Sequence, residues 1–226
     1  MNIQELIRPL DEIASGFQRA AILFTAVKGG VFALLEQPQT AESIAKALAW
    51  SQRSTRMLLD GLVALDLTRK ENHVYTNTAL ASQCLVPGGP ADQTHIMLHR
   101  AGSWAGWSHL EEAMRTGAGV VPEAIHRSAE ELRAFICGMA DIARFSAKEV
   151  IQAVALSPYR RLLDVGGGPG PYTVAFLQAN VQMRATIFDL PEVIPIAREQ
   201  VTQAGLTGRV EFVPGDFTRD DLGNGY

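Results

Sequence analysis

The sequence predicts an α/β protein in two parts: a helical module with a small hairpin, then a parallel sheet with helices between its strands. Three observations carry this. Apolar residues recur at helical spacing near the N-terminus and give way to a short hairpin pattern. Three strand-like runs, 161–165, 184–188 and 209–213, alternate with helical patterns at 172–179 and 192–204, as strand-helix-strand units with right-handed crossovers do. Between the first strand and its helix lies Asp164-Val165-Gly166-Gly167-Gly168-Pro169-Gly170. Glycines at alternate positions (Gly166, Gly168, Gly170) let the backbone turn sharply and approach a ligand with no side chain between.

Composition bounds the function classes. Of 226 residues, 47% are hydrophobic and 19% charged, enough apolar content for a packed core. A net charge of −4 gives no sign of general affinity for nucleic acid or anionic membranes. Two cysteines, Cys84 and Cys137, make no disulfide framework, so a reducing cytoplasm is expected. The start, Met1-Asn2-Ile3-Gln4-Glu5, lacks the basic region and apolar run of a signal peptide. No apolar stretch approaches the roughly 18 residues of a membrane span. The expectation is a soluble cytoplasmic protein with no membrane partner.

From the N-terminus, Ile3, Leu6, Ile7, Leu10, Phe17, Ala21, Phe24 and Val27 predict two helices, with Gly29-Gly30 as a break before a short third. Thr40 and Ser51 read as helix N-caps, the second opening a helix that runs to Leu67. Residues 67–70 and 74–76, joined at Glu71-Asn72, read as a hairpin. Together these make a winged helix-turn-helix. A DNA-binding regulator would use 51–67 as its recognition helix. Yet residues 1–98 hold nine acidic and eight basic side chains, and DNA readers show a basic face. The alternative is a helical module for dimerisation or for covering a pocket.

The middle segment, 94–117, reads as helical and aromatic. His95 and His99 stand one turn apart, but no interleaved Glu and no third ligand suggest a metal. Ser128, with Glu130 and Glu131 behind it, caps a second long helix whose apolar residues form a wide stripe. Trp104, Trp107, Phe135 and Met139 are either core or the wall of an aromatic substrate pocket.

At the sheet, Asp189 ends the second strand 23 residues after Gly166, where such folds place the acid that accepts from ribose hydroxyls. Asp216 follows the third strand at the same carboxyl edge. A dinucleotide fingerprint needs Gly or Ala at the sixth position from Gly166, and that position is Pro171. The observed Asp-x-Gly-x-Gly-x-Gly resembles motif I of the class I S-adenosylmethionine-dependent methyltransferases. The resemblance extends to Phe188-Asp189-Leu190-Pro191 and to residues 209–217, and over nearly the whole chain. The sequence is similar to the small-molecule O-methyltransferases related to caffeate and acetylserotonin O-methyltransferases, in their bacterial form.

That resemblance implies a Rossmann-like methyltransferase domain over 158–226, connecting helices that line the substrate pocket over 93–157, and a winged-helix-like dimerisation domain over 1–92. It implies that Gly166, Gly168 and Gly170 hold the methionine part of S-adenosyl-L-methionine, with Asp164 also among the cofactor-binding residues. Asp189 takes the ribose hydroxyls and Leu190 packs on adenine. Asp216 accepts from the adenine amino group, with Phe217 against the ring. Phe135 and Met139 match positions lining the acceptor pocket, with Trp104 and Trp107 as further candidates. The partners implied are a hydroxylated, aromatic small-molecule acceptor and a second copy of the chain, with no nucleic acid.

The family's general base is a histidine after the fourth strand. All five histidines here (His73, His95, His99, His109, His126) precede the glycine loop, and Tyr226 lies ten residues past Asp216. The expectation is that the chain carries the cofactor-binding half of a longer or split enzyme, with no metal and no catalytic residue of its own. The fourth strand is missing too, so the first strand should expose an apolar edge. The alternative within the same fold is a protein that binds the cofactor without methylating.

Overall fold

The computed structural model describes residues 2–118 and 128–226. The chain divides into two compact units, Met1–Ala101 and Gly102–Tyr226.

The first unit opens with one helix, α1 (Ile3–Lys28), where the sequence predicts two. Pro9 lies inside it. That proline lacks a single donor near the N-terminal end, and the helical apolar spacing on both sides keeps the axis continuous. Asn2 caps the start by accepting from the Gln4 amide at 3.1 Å. Gly29-Gly30 ends the helix as expected, and α2 (Val31–Leu34) follows. A short strand, β1 (Gln39–Thr40), precedes α3 (Ala41–Leu48), capped by Thr40, and α4 (Gln52–Ala64), capped by Ser51. The wing is β2 (Thr68–Glu71) and β3 (Val74–Asn77), in a sheet of order β1-β3-β2. Asn72 and His73 both have positive φ, 46° and 66°, the conformation of a two-residue hairpin turn. Then comes α5 (Ala79–Cys84). Val31, Phe32, Leu35, Ile44, Leu59 and Leu62 form the buried core of this unit. Tyr75 joins it while its hydroxyl donates to Asp60 Oδ1 at 2.7 Å. Lys70 Nζ donates to the same oxygen at 2.6 Å, tying the wing to α4.

The predicted helical segment 94–117 is three helices, α6 (Thr94–Gly102), α7 (Trp104–Trp107) and α8 (Leu110–Thr116). Gly102-Ser103 and Ser108-His109 fall at the breaks, residues that favour caps and turns over helix interiors. In the second unit α9 (Ala129–Ala153) starts in a capping box, Ser128 Oγ accepting from the Glu131 amide at 3.1 Å and Glu131 Oε2 from the Ser128 amide at 2.9 Å.

β4 (Arg161–Val165), β5 (Arg184–Asp189) and β6 (Val210–Pro214) form a parallel sheet of order β4-β5-β6. Helix α10 (Pro171–Ala179) connects the first pair. Helix α11 (Ile194–Gln203) and a 3-10 turn (Thr207–Arg209) connect the second. The central strand is the buried one, Ala185 to Phe188. Ile136 and Cys137 of α9 pack on Val193 and Ile196, and the Arg133 guanidinium forks onto both carboxylate oxygens of Glu199 at 2.9 and 2.8 Å. Among the described residues β4 is an edge strand, and Val165 is 41% exposed. No described helix is long and apolar enough to cross a membrane.

Candidate functional site

The three parallel strands end in register: Val165 pairs with Phe188, and Phe188 with Val213. Two further bonds extend the ladder past the strands. The Gly166 amide donates to the Phe188 carbonyl and the Gly215 amide to the Asp189 carbonyl, each at 2.8 Å. The glycine loop, Asp189 and Asp216 therefore leave the sheet at one carboxyl edge, where open α/β sheets bind ligands.

Gly166, Gly168 and Gly170 have φ of 66°, 56° and 79°, the left-handed region that side-chain-bearing residues avoid. They serve different ends. A Cβ on Gly168 would meet nothing within 4 Å, so the turn faces open space. A Cβ on Gly170 would lie 2.9 Å from Ile187 Cδ1, so that glycine lets α10 seat on β5.

The Asp189 carboxylate reaches into the loop. Oδ2 accepts from the Gly168 amide and Oδ1 from the Leu190 amide, both at 2.7 Å. Phe217 comes within 4.0 Å of the Cβ position at Gly166 and is 59% exposed, with Leu190 42% exposed. The structure thus brings Gly166, Gly168, Asp189, Leu190 and Phe217 to the carboxyl edge of the sheet, with the Leu190 and Phe217 side chains exposed there. Asp216 Oδ1 accepts from both the amide and hydroxyl of Thr218, at 2.9 and 2.6 Å, which holds its carboxyl below the usual range. Its own amide donates to Asp220 Oδ2 at 2.7 Å.

Asp164 sits under the loop. Its Oδ2 accepts from the Thr173 hydroxyl at 2.6 Å. Burial pushes its pKa up, against the hydrogen bonds from Thr173 that lower it and with the Asp189 charge adding to the rise. Thr173, fully buried, and Gly167 are residues that the alternate-glycine reading passes over. In the sequence Gly167 shows only as the middle glycine of the run, and the burial of Thr173 appears only once strand and helix are packed.

The acceptor-pocket candidates are spread over two helices. Trp104 and Trp107 lie on α7, 43% and 72% exposed. Phe135 and Met139 stand one turn apart on α9, both half-buried, and Phe135 packs on the Ile136–Val193–Ile196 cluster. Of the histidines, His73 is in the wing turn and His95 and His99 are on α6. His109 precedes α8, with Nδ1 3.6 Å from Glu112. His126 lies outside the described residues.

Two family profiles match the chain, an O-methyltransferase domain over residues 107–225 and an O-methyltransferase dimerisation domain over 11–87. Acetylserotonin O-methyltransferase of Rattus norvegicus is 35% identical over 229 residues, covering 95% of this chain and 53% of its own length. The 3-hydroxy-5-methyl-1-naphthoate 3-O-methyltransferase of Streptomyces sahachiroi is 31% identical over 224 residues, covering 96% of this chain and 65% of its own. The crystal structure of human N-acetylserotonin methyltransferase in complex with SAM matches with a TM-score of 0.84 at 29% identity, over 96% of this chain and 67% of that one. The chain thus spans about half to two thirds of the length of these relatives.

Proposed function

The chain belongs to the O-methyltransferase family, with that family's dimerisation domain ahead of its methyltransferase domain, and on that premise we propose that it binds S-adenosylmethionine and serves O-methylation of a hydroxylated, aromatic small molecule. When bound, this cofactor supplies an electrophilic methyl group. The residues at the carboxyl edge fit such a group. The open space over Gly168 leaves its backbone approachable, the Asp189 carboxylate fixes the loop from the side, and Leu190 and Phe217 offer exposed apolar surface for a flat ring. Asp189 keeps acceptor capacity beyond its two amide bonds for ribose hydroxyls, and Asp216 is held ionised beside the Phe217 position. Asp164 closes the loop from beneath. The observation that carries the reading is the Asp189–Gly168 bond, which joins the acid of the second strand to the glycine turn of the first.

The proposal divides the work. Cofactor binding belongs to this chain, and the proposal assigns none of its five histidines as the base that removes the acceptor's proton, since all five precede Asp164. Trp104, Trp107, Phe135 and Met139 are the proposed walls of the acceptor pocket. The first unit pairs two copies through the outward stripe of α1, where Ile3, Leu6, Leu10, Ile13 and Phe17 are each more than half exposed, a contiguous apolar face that monomers rarely leave open. The wing of that unit spends Lys70 on Asp60 and Tyr75, in keeping with a unit that does not read nucleic acid. The test is the purified 226-residue chain with labelled S-adenosylmethionine and a panel of phenols. The cofactor binds and no methyl is transferred. Turnover would overturn the division of work, and failure to bind would overturn the function.

A further inference from the structure

Helix α10 has Gly170 at its N-cap position, a residue with no side chain to cap it, and no side-chain cap bond comes from that position. A helix start leaves several amides without intrahelical partners. Here the carboxylate that reaches this start comes from the preceding strand. Asp164 Oδ2 accepts from the hydroxyl of Thr173, the third residue of α10, at 2.6 Å, and hydrogen bonding by Thr173 favours the charged form of the carboxyl. The same carboxylate lies against Gly167. A Cβ there would fall 2.8 Å from Asp164 Cγ, 3.0 Å from Oδ2 and 3.2 Å from Oδ1. Thr173 has no exposed surface, so the hydroxyl side of the contact is shielded from solvent, while Asp164 is half-buried.

We infer that Asp164 and Thr173 form a latch that caps α10 from the strand and holds the glycine loop in its ligand-ready shape, Asp164 being a positioning residue that acts through the loop. The inference deepens the cofactor reading above and rests on it for its consequence, cofactor affinity. The latch itself stands on the contacts alone. It accounts for all three glycines in a row at 166–168: Gly166 and Gly168 for their backbone conformation, Gly167 for the room its missing side chain leaves the carboxylate.

The test uses the whole chain and three variants. Thr173→Val removes the hydroxyl at constant shape, Thr173→Ser restores it, and Gly167→Ala pushes the carboxylate off without touching α10. Amide hydrogen exchange of the unliganded protein, read over 166–174, should quicken in T173V and G167A and return toward wild type in T173S. The apparent dissociation constant for S-adenosylmethionine should rise roughly fivefold in T173V, the effect of losing a helix cap. The T173V/G167A double variant should be little worse than the worse single one, because both break one contact. Unchanged exchange in T173V and G167A, or a T173S protein no better than T173V, would overturn the latch. Wild-type protein that binds no S-adenosylmethionine would sink the cofactor reading, while the exchange comparison would still decide the latch.

Discussion

The Asp189 carboxylate accepts a hydrogen bond from the Gly168 amide at 2.7 Å, joining the end of β5 to the turn after β4. A charged acceptor on an amide gives a stronger bond than a neutral pair, so this contact fixes the loop before any ligand arrives. Asp189→Ala should leave the fold intact and release the Gly168 amide. Its exchange should speed by about tenfold or more, given the 1.5–3 kcal/mol typical of hydrogen bonds to charged groups. Unaltered exchange at Gly168 would show that the bond does not hold the loop.

Gly170 combines a φ of 79° with a Cβ position 2.9 Å from Ile187 Cδ1. Gly170→Ala adds left-handed strain to a steric conflict with the central strand. The expected loss, read from denaturant midpoints, is about 2 kcal/mol or more. A variant as stable as wild type would mean that α10 does not seat on β5 as described.

Asp164 gives a pH signature. Its folded pKa is raised, chiefly by burial, so the folded state holds this proton more tightly than the unfolded chain. The stability that proton contributes is full below the unfolded value of about 3.9 and is lost as pH rises through the folded pKa. Asp164→Asn keeps an acceptor for Thr173 and removes the buried charge. Unliganded D164N should melt above wild type at neutral pH, with the gap closing below about pH 4. A gap that widens on acidification would reverse the sign and refute the burial cause.

Helix α1 tests the dimer. Ile7 and Leu10 lie on its outward apolar stripe, 43% and 67% exposed. The double change Ile7→Glu with Leu10→Glu should convert a sedimenting dimer to monomer while helical content is retained. A wild-type chain that sediments as a monomer, or a variant that stays dimeric, would move the interface elsewhere.

Much of the second unit was legible in the sequence because the chemistry there is local. Strand β4 ends where the pattern predicts, and the glycines of 166–170 adopt the backbone that their spacing requires. Asp189 was singled out by its distance along the chain, and its carboxylate lies against the loop. Thr173 and Gly167 were not found, since a buried hydroxyl partner and a missing Cβ show only once strand and helix are packed. In the first unit the N-caps Thr40 and Ser51 announced their helices. Pro9 did not break α1, because a proline costs one hydrogen bond while a long apolar face favours continuity. The aromatic residues of α7 and α9 stay ambiguous in sequence, as core and pocket walls use the same side chains. Phe135 illustrates this, with part of its ring in the core.

Calorimetric titration of S-adenosylmethionine into the 226-residue chain, run beside Asp189→Ala, tests the cofactor cradle most directly. The expected result is saturable binding at one site per chain, weakened by about tenfold or more in D189A, as for loss of a charged hydrogen-bonding group. Absence of binding, or equal affinity in the two proteins, would contradict it.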